Sequence, residues 1–285
     1  MKSLAYSMIA LLFPFVLQAQ DEYKLNKEYE INLNGTLSLN TNDANVKITG
    51  SNRSNVALKV YRKITTKGVS WGDKSFSIEV EQKNGNLDIY EKSEGSHFSV
   101  AGYVREEYTI DIDVPLGISL DINGDDDDYL INNIKGSIAL KLDDGDVELN
   151  NCGGSSFDFN ADDADISMRG GSGSIKIRQD EGEVNIKNAA FSEIDATMDD
   201  GDMVIETSLA SDGSYYFKAD DGDIVLSVLS GGGNFLIDHD DSRLYTSGNF
   251  TMMKKDDNHT ELKLGDGSAL VKIRVDDASI RINSN

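Results

Sequence analysis

The sequence has one cysteine, two prolines, one tryptophan and few basic residues, with 27 Lys and Arg against 50 Asp and Glu. Each scarcity excludes something. A single thiol, Cys152, forbids an intramolecular disulfide, so stability has to come from burial and backbone pairing. No Cys/His cluster has zinc-type spacing, and Gly-rich phosphate loops are missing. The three histidines, His97, His239 and His259, fall in polar segments and read as solvated surface. The formal charge of −23 is concentrated, since Asp121 to Asp241 holds 29 acidic and 7 basic residues. Such a surface repels nucleic acid and anionic lipid and attracts cations, so DNA and RNA are poor partners.

Long apolar runs are also scarce. The one present follows Lys2, runs from Met8 to Leu17 and ends before a small residue, Ala19. It is too short for a permanent membrane anchor and reads as a cleaved secretory signal over residues 1–19, with Gln20 as the new N-terminus. The expected product is an exported chain that is not an integral membrane protein, placed in the periplasm, on the outer surface or outside the cell.

What the sequence has in abundance is repetition. Asp125-Asp-Asp-Asp-Tyr-Leu-Ile131, Asp143-Asp-Gly-Asp-Val-Glu-Leu149, Asp162-Asp-Ala-Asp-Ile-Ser-Met168 and Asp180-Glu-Gly-Glu-Val-Asn-Ile186 share one frame. Asp199-Asp-Gly-Asp-Met-Val-Ile205, Asp220-Asp-Gly-Asp-Ile-Val-Leu226 and Asp240-Asp-Ser-Arg-Leu-Tyr-Thr246 continue it, with starts 18 to 21 residues apart. Looser copies lie at Asn42–Ile48 and Asp276–Ile282. Apolar residues alternate after each acidic tetrapeptide, and a second alternating pair follows, as in Phe157/Phe159, Ile175/Ile177 and Phe235/Ile237. Period two means strands with one buried face, separated by Gly-, Asn- and Ser-rich turns.

A repeat this short cannot bury its apolar face alone and must stack on its neighbours. The fold class is therefore all-β, a β-solenoid (β-helix-like) of about 18–21-residue coils with an N-terminal β cap and hairpin region. A β-sandwich has similar strand spacing but does not require the same residue types at the same phase. The expected organisation is a signal peptide over 1–19, an N-terminal β region with an inserted hairpin over 20–118, and an acidic strand-repeat solenoid over 119–285. Gly265-Asp-Gly267, between Glu261–Leu264 and Ala269–Ile273, signals a capping hairpin at the C-terminal end.

Leu37-Ser-Leu39, Asn45-Val-Lys-Ile-Thr-Gly50, Val114-Pro115-Leu-Gly117 and the Gly-Asp-apolar turns at Gly145, Gly201 and Gly222 carry a resemblance. The sequence resembles a family of exported β-strand-repeat proteins described as candidate adhesins, itself a domain-of-unknown-function family. Asp-Asp-Gly-Asp replaces the Thr/Ser-Ser-Gly-Asp turn common among such proteins. The resemblance implies a β-solenoid at the cell envelope and brings no activity or site residues with it.

Stacked in phase, the acidic turns become columns of carboxylates. Like charges about 4.8 Å apart repel by roughly 3–4 kcal/mol at an effective dielectric of 20. Hard divalent cations take several oxygen ligands, so Ca²⁺ is a candidate ligand of Asp143, Asp144, Asp146, Asp162, Asp163, Asp165, Asp199, Asp200, Asp202, Asp220, Asp221 and Asp223, stiffening the solenoid. The plainer reading is that Asp suits turns because its carboxylate accepts local backbone N–H bonds. The spacing matches neither the nine-residue calcium repeat nor the helix–loop–helix calcium loop.

The function expected is a non-catalytic envelope or surface protein, an adhesin-like binding or structural module with an envelope or extracellular protein or glycan as partner and no required cofactor. Tyr215, Tyr216 and Tyr245 are candidate contacts, although aromatic residues on strands more often pack. The alternative is a β-helical carbohydrate-active enzyme using an Asp cluster, with Arg169, Arg178 or Arg243 as partners. An active site would mark one irregular rung, whereas these acids recur in every rung.

Overall fold

The computed structural model describes residues 18–71, 75–94, 98–240, 242–277 and 279–284. Residues 1–17, which hold the apolar core of the expected export signal, lie outside it, as do His97 and Asp241. Among the described residues there is no helix, and the strands are mostly parallel.

Each coil contributes to two ladders, and the buried residues of both belong to one core. In the middle of the chain, Ile138–Asn150 and Ser156–Arg169 each begin in the first ladder, bend at the acidic tetrapeptide and end in the second. Outward and inward side chains alternate, so one buried position per coil falls in line with the next. Val46, Tyr129, Val147, Ile166, Val184, Met203, Ile224 and Ile280 form one such spine in the second ladder. Leu39, Ile122, Leu140, Phe159, Ile177, Ala196, Phe217 and Ile273 form another in the first. Burying one such large side chain contributes roughly 1.5–3 kcal/mol, and it is this inward row that fixes register. The buried apolar residues from Ile31 to Ile282 form a single cluster.

The order of stacking departs from the order of the chain at both ends. Ser214–Asp221 and Ile224–Val228 do not meet the next coil in sequence. They pair with Ala269–Asp277 and Ser279–Ser284 instead. Gly233–His239 and Arg243–Ser247 then pair on the far side of those same two strands. The last copy of the repeat thus fills a gap between two earlier ones, and Asp223 and Ser279, 56 residues apart, become neighbours. The N-terminal end is arranged likewise. Thr36–Asn40 and Asn45–Ser51 lie between Ser119–Asp126 and Asp128–Asn132 on one side and Asn86–Glu94 and Phe98–Pro115 on the other.

This threading overturns the hairpin expected at Gly265–Gly267. His259–Leu264 and Ala269–Asp277 flank Gly233–His239, one antiparallel and one parallel, so the connection between them crosses over that strand. The hairpin forms one element earlier, between Phe250–Lys255 and His259–Leu264. At the other end, Asn55–Trp71 and Phe98–Pro115 form a long antiparallel ribbon, with Gln18–Glu30 on the open side of the first. Ser75–Lys83 pairs antiparallel with Asn86–Glu94.

Candidate functional site

The acidic tetrapeptides occupy the corner where the chain passes from the first ladder to the second. Parallel pairing aligns them. Second positions Asp126, Asp144, Asp163 and Glu181 are in register, as are Asp200, Asp221 and Asp277. Fourth positions align as Asp146 with Asp165 and Glu183 with Asp202. The column expected to run from Asp220 to Asp240 is interrupted by the inserted Asp276 copy.

The fourth-position carboxylates are engaged between rungs. The Asp146 N–H donates to Asp128 Oδ1 at 3.2 Å, Glu183 N–H to Asp165 Oδ1 at 2.9 Å, and Asp223 N–H to Asp202 Oδ1 at 2.9 Å. At the last of these steps Ser279 N–H donates to Asp223 Oδ1 at 3.2 Å, and Arg281 reaches Asp223 Oδ2 at 2.7 Å. The Ser279 hydroxyl and Arg281 hold the Asp223 carboxyl below its ordinary range. Elsewhere crowding acts in the opposite direction. Burial, with the Asp128 and Asp165 carboxylates on either side, pushes Asp146 up, and burial with Asp126 and Asp143 does the same to Asp125. Of the remaining candidate residues, Asp143, Asp144, Asp162, Asp163, Asp199, Asp200 and Asp221 are exposed, and Asp220 takes Lys218 at 2.7 Å. Among the described residues no group of three His, Cys, Asp or Glu is gathered to hold a metal ion.

Beside this corner the second ladder forms an open groove of about 650 Å³, lined by Asp128, Asp146 and Asp165 with Lys47, Asp111, Leu130, Glu148 and Ser167. It is acidic, with one lysine among the carboxylates.

The third slot of the tetrapeptide takes two conformations. Gly201 and Gly222 have φ of 125° and 107°, and a Cβ on either would stand 2.0 Å from the carbonyl oxygen of the glycine in the rung before. Ala44, Ala164 and Asp127 instead turn inward and are buried. Where the two backbones come this close, only glycine fits.

Asp127 is the residue that the repeat reading missed. Its carboxylate is fully buried and accepts the Ala44 N–H at 2.6 Å, the Thr41 hydroxyl at 3.1 Å, the Tyr129 hydroxyl at 3.2 Å and the Asp125 N–H at 3.3 Å. Burial pushes its pKa up despite these bonds. The signal was present in the frame, because an acid stands where the other copies carry Gly, Ala or Ser. Close by, Arg62 is buried against the Phe76 ring at 4.2 Å and paired with Glu106. Burial raises Glu91 in the same region.

Other expectations divide. Tyr215 is core, with its hydroxyl donating to the Phe191 carbonyl at 2.8 Å, while Tyr216 is half-buried and Tyr245 is exposed. His239 is buried against the Thr260 hydroxyl at 3.0 Å, contrary to the solvated reading, because it takes an inward position of Gly233–His239. His259 is half-buried between Asp238 and Glu261, and its bond to Asp238 raises its pKa. Arg178 binds Asp195, whereas Arg169 and Arg243 are exposed on the second ladder. Cys152 is a buried turn residue.

These features define a class: an all-β, largely parallel, solenoid-like protein with one acidic corner. Residues 34–283 match the Toastrack DUF4097 family, a domain of unknown function, and the chain belongs to that family. Among solved structures, a candidate adhesin from Parabacteroides distasonis is similar at 10% identity and a TM-score of 0.48, covering 93% of this chain and 97% of its own. A candidate adhesin from Bacteroides fragilis is similar at 10% identity and 0.41, covering 91% and 97%. A candidate cell adhesion protein from Clostridium sporogenes is similar at 14% identity and 0.26, covering 93% and 100%. No curated protein matches the chain. No helix among the described residues is long and apolar enough to cross a membrane.

Proposed function

We propose that this protein is an exported, non-catalytic envelope or surface protein, an adhesin-like module that binds an extracellular protein or glycan through a repeated acidic face. Residues 20–118 serve as an N-terminal β region and cap, whose rung at Thr36–Asn40 and Asn45–Ser51 stacks directly on the repeating body over residues 119–285. The observation that carries this reading is the in-register repetition of one acidic corner beside an acidic groove. Repeated weak sites suit multivalent contact, in which effective concentration multiplies affinity. The test is retention and product release on a panel of immobilised bacterial and plant polysaccharides. Retention without released oligosaccharide supports a binding module. Sustained turnover abolished by changing one rung's acids would establish the carbohydrate-active alternative.

Weak multi-site Ca²⁺ binding along the corner is a second reading, favoured by the crowding that raises Asp146. Thermal unfolding with EDTA, Mg²⁺ and Ca²⁺ at matched ionic strength decides it. Selective stabilisation by Ca²⁺ supports site binding, and equal responses to both ions reduce the effect to screening. Export is checked by N-terminal sequencing of the protein recovered from its source, for which a start at Gln20 is expected.

A further inference from the structure

The end of the solenoid that carries Arg243–Ser247 and Phe250–Lys255 differs in charge from the rest of the molecule. Residues 243–255 contain Arg243, Lys254 and Lys255 and no acid, in a chain of net charge −23. Apolar side chains are exposed at the same place: Tyr245 at 51%, Met252 at 52% and Met253 at 65%. Among the described pairings, Phe250–Lys255 is bonded along one edge only, to His259–Leu264, which leaves a row of backbone donors and acceptors open on the other. At the opposite end the two outer strands, Gln18–Glu30 and Ser75–Lys83, are also bonded along one edge each but are tied to one another. There the Ile78 N–H donates to the Tyr23 hydroxyl at 3.3 Å and Gln82 Nε2 to the Glu30 carbonyl at 2.7 Å, tying Ser75–Lys83 to Gln18–Glu30.

We propose that this end is a homodimer interface, in which Phe250–Lys255 pairs antiparallel with the same strand of a second copy about a two-fold axis. The strand is self-complementary in that arrangement. Met252 falls opposite Met253, Thr251 opposite Lys254, and Phe250 opposite Lys255, where the ammonium group meets an aromatic face and no lysine faces a lysine. A bulge at Met253 leaves Phe250, Met252 and Lys255 on the face of Leu264, Leu262 and Thr260 and Thr251 and Lys254 on the other, so Phe250 and Lys255 share one face, Thr251 and Lys254 share the other, and Met253 sits in the bulge at the centre. Charge selects the second copy's approach. Contact through the acidic corner would bring carboxylate columns together, whereas contact through this end, where Lys254 is paired with Asp256 and Arg243 and Lys255 add positive charge, holds the two acidic bodies apart. A two-fold pair covers the Phe250–Lys255 edge of each copy and closes, so it does not grow through that strand.

Sedimentation equilibrium of the purified protein across the micromolar range tests this. The expected result is a monomer–dimer equilibrium that Met253→Asp weakens by more than about tenfold and Leu33→Asp, an exposed apolar site outside the patch, leaves unchanged. Thermal unfolding of each variant establishes that it is folded. A wild-type protein that stays monomeric throughout would mean that the lysines and the bulge only guard the edge, and would overturn the proposal. So would association that survives Met253→Asp, or a mass that climbs past the dimer, which points to head-to-tail stacking.

Discussion

Replacing Asp127 separates two roles of one carboxylate, its shape and its capacity to accept hydrogen bonds. In Asp127→Ala the Ala44 N–H, buried and bonded at 2.6 Å, loses its partner and has no other. Thr41 and Tyr129 are less affected, since their hydroxyls lie 3.0 Å apart and can bond to each other. A buried orphan donor and a lost charge-assisted bond together destabilise by about 3 kcal/mol. Asp127→Asn keeps one oxygen for Ala44, and its amide donates to the two hydroxyls after they rotate; only the longer Asp125 bond is lost, so the change is about 1 kcal/mol or less. The pH dependence follows from the sign of the shift. The folded-state pKa is raised, so the native state binds more protons than the unfolded state between the two pKa values. That contribution is fully present below the unfolded value and is lost as pH rises through the folded one. Acidifying from neutrality toward pH ~4 therefore stabilises the wild type relative to Asp127→Asn. Urea denaturation of the three proteins at several pH values is the assay. Equal losses for Ala and Asn, or parallel pH profiles for wild type and Asp127→Asn, would refute the reasoning.

Two further outcomes are expected. Gly201→Ala places a Cβ 2.0 Å from the Gly182 oxygen at a φ of 125° and should destabilise by at least about 2 kcal/mol, whereas Gly265→Ala, with open space around it and a φ of 54°, should lose only about 1 kcal/mol in the same urea titration. Cys152 is 1% exposed and burial raises its thiol pKa, so the folded protein should resist a thiol-reactive disulfide reagent and the urea-unfolded protein should react promptly.

The strands and their buried faces were legible because alternation leaves a mark in every coil. Val147/Leu149 and Phe157/Phe159 point inward as their period demands. The order of the coils left no such mark. The inward residues of Ala269–Asp277 would fit beside Phe217 or beside Ile237 equally well, and the structure places that strand between them. A Gly-Asp-Gly turn specifies a local bend and not the strand that the bend leads to, so Gly265–Gly267 was read as a hairpin when it begins a crossover. In the acidic corner the residue types gave the columns, and the frame marks Asp127 as the acid in the Gly, Ala or Ser slot, but the local sequence does not show that this slot turns into the core here. That choice depends on donors from Thr41 and Ala44, more than eighty residues away.

The inserted C-terminal coil is what places every other assignment at that end, and disulfide trapping tests it directly. In a Cys152→Ala background, paired cysteines at Tyr216 and Lys272, and at Lys272 and Leu236, sit on adjacent parallel strands at about 4.8 Å and should form a disulfide readily. Cysteines at Tyr216 and Leu236 lie two strand spacings apart, about 9.6 Å, beyond the roughly 7 Å a disulfide can span, and should stay reduced. Rapid trapping of the Tyr216–Leu236 pair, with none at Lys272, would mean that the coils stack in chain order and would contradict the account.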